Sequence, residues 1–337
     1  MGEPKGYYLG IDFGTQGVRC GIVNEAGEIT SVAHRKFGTY YPEPGWVVQK
    51  PNEWIESMFE AAKDCLLKTD KSIVQSITGL SVCATASTVI PVLKDGTALM
   101  DAILWMDNRA SMETNGINET KHEVLRYCGN EVSVEWLIPK VLWLKNNRRD
   151  IYDKAYKVVE QLDYVNYVLT GEWVASICQA TCKSNYIEDF GRFFEGIGLG
   201  EFNRKLNTRV LRLGEPIAKL DNGIAKQLGL SKDIIVYQGG IDAHISMLGI
   251  GVSHPGDMGI VMGSSFVHLV LSEEPVFNEG IWGPYNNAVI PGLYCLEGGQ
   301  VSAGSIANWF IRTFKVNEET KGDPYELMMN EAASIPP

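Results

Sequence analysis

Two glycine-centred turns between apolar segments constrain the fold of this chain more than any other feature. The first interrupts the apolar stretch Ile11–Cys20, and the second interrupts Ile260–Leu269. Each pattern predicts an antiparallel hairpin with a small-residue turn. The copies lie about 250 residues apart, which excludes a short-period repeat. They favour two related domains that each open with a hairpin, although chance similarity is the alternative because such turns are common. The turn residues are Gly14, Thr15 and Gln16 in the first copy and Gly263, Ser264 and Ser265 in the second.

Turns of this composition suit the binding of an anion. Their backbone N–H groups and hydroxyls can hold phosphate oxygens, and glycine leaves room for the approach. Asp12 lies inside the first apolar run, where a carboxylate needs a partner. It is either a turn-bonding aspartate or a ligand of Mg²⁺ beside a phosphate. The second copy has Val261 at the corresponding position, so only the first copy offers the carboxylate.

Asp242 follows two glycines at the end of the predicted strand Ile234–Tyr237 and stands where a helix begins. One interpretation is an aspartate that caps the helix, because a helix N-terminus stabilises a carboxylate. The other is a general base that accepts a proton from a substrate hydroxyl, with the glycines letting the substrate approach closely. His244, two residues later, receives no role.

The segment Ala102–Ala110 holds an aromatic ring, a carboxylate and a guanidinium within five residues: Trp105, Asp107 and Arg109. This combination suits a polyhydroxyl ligand, because a ring packs on C–H surfaces while charged groups bond hydroxyls. The alternative is a surface loop with a salt bridge.

Composition bounds the class of protein. With 337 residues, two domains are expected, and a hydrophobic fraction of 45% supports sizeable cores. No apolar run is long enough to span a membrane, and the N-terminus lacks the apolar core of a signal peptide. The seven scattered cysteines predict reduced core thiols in a cytoplasmic protein. A net charge of −11 argues against nucleic-acid binding.

Hydrophobic periodicity predicts a mixed α/β order that opens with antiparallel strands. The first three strands are expected at Tyr7–Phe13, Val18–Val23 and Glu28–Arg35. A helix should follow, with Asn52 as its N-cap after Pro51.

The chain resembles the FGGY carbohydrate kinases. The matching segments lie in family order over nearly the whole chain, namely "GIDFGTQGVR", "ILWMDNRA", "VEWLIPKVLWLK", "DYVNYVLTG", "GGIDAHISMLG", "GIVMGSSFVHLVL" and "WGPYNNAVIPGLYCLEGGQVSAG". The resemblance implies an α/β, actin-like ATPase (ribonuclease H-like) fold with a duplicated domain. Residues 1–252 would form the N-terminal domain, and residues 253–337 would begin a C-terminal domain whose adenosine motif is absent. We therefore expect the chain to be a piece of a longer kinase.

The resemblance also implies roles for particular residues. Asp242 would be the catalytic base, Asp12 would position Mg²⁺, and the two turns would hold the phosphates of ATP. The sugar would contact Asp242 and the residues Cys83, Ala84, Thr85, Trp105, Asp107, Glu135 and Trp136. Asp12 and Asp242 are expected on opposite sides of a gap between the domains.

Within the family, the segments "CATAST", "SVEW" and "EGGQ" resemble the ribulokinase branch, including D-ribulokinase-like members. This implies ATP-dependent phosphorylation of a pentulose or a related polyol. Cys83 stands where related sequences often carry a polar residue, and the loop of Trp105 differs from that of L-ribulokinases. The alternatives are xylulose, ribitol, erythritol or glycerol as acceptor, a non-catalytic sugar-binding regulator, or an actin-like ATPase without a sugar substrate. We expect no nucleic-acid or membrane partner, and a homodimer is one assembly to test.

Overall fold

The computed structural model describes residues 6–184, 190–263, 266–300, 302–315 and 322–336. The strands of these ranges are β1 (Tyr7–Gly14), β2 (Gly17–Asn24), β3 (Ile29–Lys36), β4 (Val48–Gln49), β5 (Ile77–Ala84), β6 (Val89–Val92), β7 (Ala102–Ile103), β8 (Lys157–Glu160), β9 (Ala175–Ser176), β10 (Val210–Leu211), β11 (Pro216–Lys219), β12 (Ile235–Tyr237), β13 (Met258–Met262), β14 (Phe266–Ser272), β15 (Trp282–Asn286) and β16 (Tyr294–Gln300).

The helices of the same ranges are α1 (Pro51–Leu67), α2 (Lys71–Gln75), α3 (Ser111–Glu119), α4 (Leu137–Asn147), α5 (Arg149–Lys154), α6 (Gln161–Thr170), α7 (Ile177–Lys183), α8 (Phe190–Gly196), α9 (Asn222–Leu228), α10 (Asp242–Gly249), α11 (Gly304–Thr313) and α12 (Pro324–Ala333). Two 3-10 helices cover Glu123–Tyr127 and Gly200–Arg204. None of the helices in the described part of the chain has the length and apolar character that crossing a bilayer requires.

The first sheet has six strands in the order β11-β12-β5-β1-β2-β3. The strands β1, β2 and β3 are antiparallel, which confirms the predicted meander. The strand β5 pairs with β1 in parallel, and β12 pairs with β5 in parallel. Because parallel strands end at the same edge of a sheet, this order gathers the residues at the carboxyl ends of β1, β5 and β12.

The long helix α1 covers the first sheet with a face that includes Trp54, Met58 and Cys65, as its periodicity predicts. Its predicted start is wrong by two residues, since the N-cap is Lys50 and not Asn52. Pro51 occupies the first helical position, where its missing N–H costs nothing and its fixed φ already suits a helix.

The second sheet is antiparallel and has the order β13-β14-β16-β15. Both predicted hairpins are confirmed. Gly14 pairs with Gly17 across the first turn, and Met262 pairs with Phe266 across the second.

Among the described residues, three hydrophobic clusters form the core of the fold. One lies between the first sheet and the helices α1, α6 and α9, and another surrounds α3, α4 and α5. The third joins Cys178 and Cys182 of α7 and Met247 of α10 to Leu269 and Tyr285 of the second sheet. All seven cysteines lie in the described ranges as thiols, as predicted.

Candidate active site

The carboxylate of Asp12 faces a thiol and a guanidinium at the end of β1. The parallel register sets Asp12 opposite Cys83 of β5. The Cys83 thiol donates to Oδ1 of Asp12 at 3.4 Å, and Nη1 of Arg19 donates to Oδ2 at 3.0 Å. The Asp12 side chain keeps 37% of its surface exposed. Both oxygens are bonded by side chains rather than by main-chain N–H groups among the described residues, and the carboxylate is still partly exposed.

Asp242 is the first residue of α10 rather than its cap, because the N-cap is Ile241. Its Oδ1 accepts a hydrogen bond from the backbone N–H of Ala243 at 2.7 Å. The pKa of Asp242 is raised to about 6, first by burial and then by the negative charge of Asp12, while the Ala243 bond and Arg19 oppose the shift. A carboxylate with this pKa is suited to accepting a proton near neutral pH.

Asp12 and Asp242 lie at the same edge of the first sheet, which corrects the expectation that they stand on opposite sides of a gap between the domains. Asp242 follows β12, Asp12 ends β1, and β5 lies between those strands. Both carboxylates also raise the pKa of the Cys83 thiol, after burial. The three side chains therefore form one cluster at the carboxyl edge of the first sheet.

The glycines before Asp242 serve packing. A Cβ on Gly239 would overlap the carbonyl oxygen of Val82, and one on Gly240 would come within 3.0 Å of Cβ of Cys178. The carbonyl of Gly240 also accepts the N–H of Ala84 at 3.2 Å. Glycine lets this backbone approach β5, which corrects the interpretation that it makes room for substrate.

Trp105 reaches the first hairpin turn. Its indole N–H donates to Oγ1 of Thr15 at 3.2 Å, while Nε2 of Gln49 donates to the carbonyl of Thr15 at 2.8 Å. The Trp105 side chain remains partly exposed. The predicted sugar loop and the predicted phosphate turn, which includes Gly14 and Gln16, are therefore neighbours.

Asp107 has no exposed surface, and all its bonds are internal. Its oxygens accept from the N–H of Val47 and from the backbone N–H, Nε and Nη2 of Arg109. The guanidinium of Arg109 in turn lies 3.9 Å from the ring centroid of Trp46. This geometry argues against a substrate contact and matches the salt-bridge alternative, except that the bridge is buried.

Ala84 and Thr85 are also buried in the framework of the site. The N–H of Thr85 donates to the carbonyl of Phe13 at 3.2 Å, and its hydroxyl bonds Oε1 of Gln161. Of the three residues predicted in this segment, only Cys83 faces the two carboxylates.

A buried ion pair that the sequence analysis missed lies beside Glu135 and Trp136. Nζ of Lys183 is 2.6 Å from Oε2 of Glu297, and the two side chains are only 10% and 7% exposed. The ammonium also lies 4.4 Å from the ring centroid of Trp282 and 5.2 Å from that of Trp136. No local pattern marks this pair, because its members are 114 residues apart.

Burial and the charges of this pair act together on the pKa values of Glu135 and His244. Burial raises the pKa of Glu135, while the positive charges of Lys140 and Lys183 oppose that shift. Burial lowers the pKa of His244 to about 4, so its ring is neutral near pH 7. Nε2 of His244 lies 3.4 Å from the thiol of Cys182. His244 is therefore a core residue, which agrees with the sequence analysis, where it received no role.

The second turn is only partly described. The carbonyl of Gly263 accepts the N–H of Gly304 at the start of α11, at 3.2 Å. The predicted phosphate contacts Ser264 and Ser265 lie outside the described residues.

The cluster of Asp12, Cys83 and Asp242 fits a magnesium ion bound together with phosphate. Within the described ranges, no group of three or more histidine, cysteine, aspartate or glutamate side chains could enclose a metal. Mg²⁺ bound with a nucleotide needs only one or two carboxylates, because water and phosphate oxygens complete its shell. Asp12, partly exposed beside the first turn, is a donor of that kind.

Comparison with known proteins identifies the class of this chain. Residues 7–249 match the N-terminal domain of the FGGY family of carbohydrate kinases, and residues 258–337 match its C-terminal domain. The chain therefore belongs to the FGGY family of carbohydrate kinases. The predicted boundary after residue 252 falls between the two matched segments and stays a prediction.

Two relatives and one structure illustrate the similarity. The chain is 33% identical to the human FGGY carbohydrate kinase domain-containing protein, over 92% of this chain and 61% of that protein. It is 28% identical to a D-ribulokinase of Saccharomyces cerevisiae, over 91% and 50%. A ligand-bound xylulose kinase of Lactobacillus acidophilus superposes with a TM-score of 0.83 at 19% identity, over 98% and 66%. This likeness shows the actin-like fold.

Proposed function

We propose that the whole protein transfers the terminal phosphoryl group of ATP to a hydroxyl of a pentulose or related polyol, with Asp242 as general base. One observation carries the proposal. A carboxylate with a pKa near 6 begins a helix beside a second, partly exposed carboxylate and a glycine turn. The chain spans 61% of the length of its human relative, so this activity is a proposal for the whole protein.

In this proposal the residues of the chain divide the work. Asp242 takes the proton of the acceptor hydroxyl as the phosphoryl group arrives. Mg²⁺, held by Asp12 and the phosphates, would offset phosphate charge. The N–H groups of the turn around Gly14, Thr15 and Gln16 would bond the transferred group, and Gly263, Ser264 and Ser265 would hold the phosphate chain from the other domain.

The acceptor would lie near Trp105 and Glu135. Trp105 offers a partly exposed ring tied to Thr15, while the partly buried Glu135 offers a carboxylate for hydroxyls. Such a wall suits a small polyhydroxyl ligand, because correctly placed polar groups select for hydroxyl pattern. Similarity to a D-ribulokinase supports a pentulose, and xylulose, ribitol, erythritol and glycerol belong in the same screen.

An ADP-release assay on the full-length protein tests the proposal. The acceptors are D-ribulose, L-ribulose, D-xylulose, ribitol, L-arabinitol, erythritol and glycerol, each with Mg²⁺-ATP. We expect acceptor-dependent ADP release that Asp242→Asn lowers by at least about 100-fold, the usual scale of general-base catalysis. Sugar binding, measured by calorimetry, should persist in that variant.

Asp221→Asn is the matched control. Asp221 caps α9 by accepting the N–H groups of Gly223 and Ile224, and asparagine caps about equally well. Its activity should stay within twofold of wild type. Near-normal turnover by Asp242→Asn would refute the base assignment. Sugar binding without ADP release in the wild type would favour a regulator, and ADP release independent of every acceptor would favour an ATPase.

A further inference from the structure

Lys140 of α4 has no exposed surface, and its ammonium group binds main-chain oxygens. It donates to the carbonyls of Leu104, Trp105 and Glu135, each at 2.8 Å, and to that of Ser87 at 3.1 Å. An ammonium has three N–H bonds, so four acceptors leave none of them without a partner. Its hydrogen bonds in the described structure are therefore with four backbone sites.

These carbonyls come from three separate segments, and each segment carries a residue of the proposed acceptor site. Ser87 follows β5, which ends at Ala84 and carries Cys83, and Trp105 is the ring bonded to Thr15. Glu135 lies near the buried ion pair, since the positive charge of Lys183 opposes the rise that burial causes in the pKa of Glu135. One side chain thus ties together segments that have no sequence proximity.

The backbone at Ser87 shows that this tie holds a strained conformation. Ser87 has a φ of 60°, in the left-handed region that a residue with a Cβ seldom adopts. Its N–H donates to Oε2 of Glu160 at 2.6 Å, and its carbonyl accepts from Lys140. Strain of this kind persists where the surroundings over-determine it, and it concentrates at binding and catalytic sites.

The charge of Lys140 has no carboxylate bonded to it within the described residues. Burial lowers its pKa to about 7, while Asp107, Glu135 and Glu160 act from a distance to raise it. An ion pair would fix one partner side chain. A ring of carbonyls instead fixes the main chain of every segment that contributes one.

We propose that Lys140 is a positioning residue that sets the relative placement of three acceptor-binding segments, around Ser87, Trp105 and Glu135. The proposal rests on the proposed function for the identity of the ligand. It does not rest on that function for the organisation of the segments, so the two can fail separately.

The test uses Lys140→Met, which keeps a long unbranched stem and removes the ammonium. At a temperature where circular dichroism shows a native fold, we expect the acceptor KM to rise at least tenfold. The KM of ATP should rise less than the acceptor KM, because only the segment of Trp105 contacts the phosphate turn, through Thr15. Hydrogen exchange should accelerate together in peptides covering residues 83–88, 104–107 and 133–136.

Lys145→Met is the matched control. Lys145 lies on the same helix, but its ammonium pairs with Glu201 and the carbonyl of Gly198. That variant loses the same charge and should leave both KM values and the three peptides unchanged. Lys140→Arg supplies a second test if the methionine variant does not fold. Its planar fork cannot serve the four converging carbonyls equally, so a smaller rise in acceptor KM is expected.

A folded Lys140 variant with an acceptor KM within twofold of wild type would overturn the proposal, as would unchanged exchange in the three segments. If neither variant folds, Lys140 is a general structural residue and the positioning role is rejected. If the wild type phosphorylates no acceptor, the proposed function fails, and the exchange experiment alone decides the role of Lys140.

Discussion

Removal of one partner from the buried pair of Lys183 and Glu297 should destabilise the fold far more than removal of an exposed pair. At 2.6 Å and an effective dielectric constant of about 20, their attraction is about 6 kcal/mol, and the desolvation of both ions offsets much of it. Lys183→Met leaves a buried carboxylate without its cation, which should cost about 3–5 kcal/mol. Glu297→Gln should cost about 3 kcal/mol, because the faces of Trp136 and Trp282 still receive the ammonium.

The assay is urea unfolding at pH 7 of wild type, both single variants and the double variant. The double variant should cost less than the two single variants together by about 2 kcal/mol or more, because it leaves neither charge unpaired. The control pair, Lys219 and Asp233, has a similar distance of 2.7 Å, but its side chains are 64% and 65% exposed. Screening by water should limit its loss to about 1 kcal/mol or less.

Acid titration gives a second measure of the same pair. Burial by itself would raise the pKa of Glu297, but Lys183 and His244 outweigh it and hold the pKa below its usual value. A lowered folded-state pKa contributes stability above the unfolded value of about 4.5, and this stability is lost as the pH falls through the folded value. Glu297→Gln should make the free energy of unfolding fall less steeply as the pH is lowered. In the urea experiment, the reasoning is refuted if the stability losses of the two single variants sum to the loss of the double variant within about 0.5 kcal/mol.

Three further predictions concern Asp242 and Asp12 of the candidate site and the buried carboxylate of Asp107. The acid limb of kcat/KM should lie near pH 6, because Asp242 must be ionised to accept a proton. Asp12→Asn removes a negative charge that raises the pKa of Asp242. The acid limb of kcat/KM should therefore move to lower pH in this variant, measured on the activity that it retains. A pH–rate profile with an unmoved limb would contradict this coupling. Asp107→Asn should lower the free energy of unfolding by about 3 kcal/mol, because Arg109 is then buried without its anion. Urea unfolding measures this loss, and a change below about 1 kcal/mol would show that the bridge is not a structural anchor.

Local sequence patterns determined the elements on which the site is built. Alternating apolar residues and a glycine turn specify the hairpin around Gly14, and the same features specify the hairpin around Gly263. The start of α10 at Asp242 also follows from the strand, the glycines and the helix in sequence. These features depend on neighbours within a few residues, which is why the sequence reveals them.

Tertiary structure alone decided how these elements meet. The parallel register of β1 and β5 sets Asp12 opposite Cys83, and β12 then brings Asp242 to the same edge of the sheet. The register depends on contacts between residues about 70 positions apart in the chain, which no local pattern encodes.

The same limit explains the roles of the buried charges. In the sequence, Asp107 is a polar loop residue suited to a ligand, yet folding encloses it with Arg109 beneath Trp46. Lysine is usually a surface residue, and only packing reveals that Lys140 and Lys183 are each buried among specific partners. A sequence states which charges exist, whereas burial and partner distance decide their energies, and both arise only when distant segments pack together.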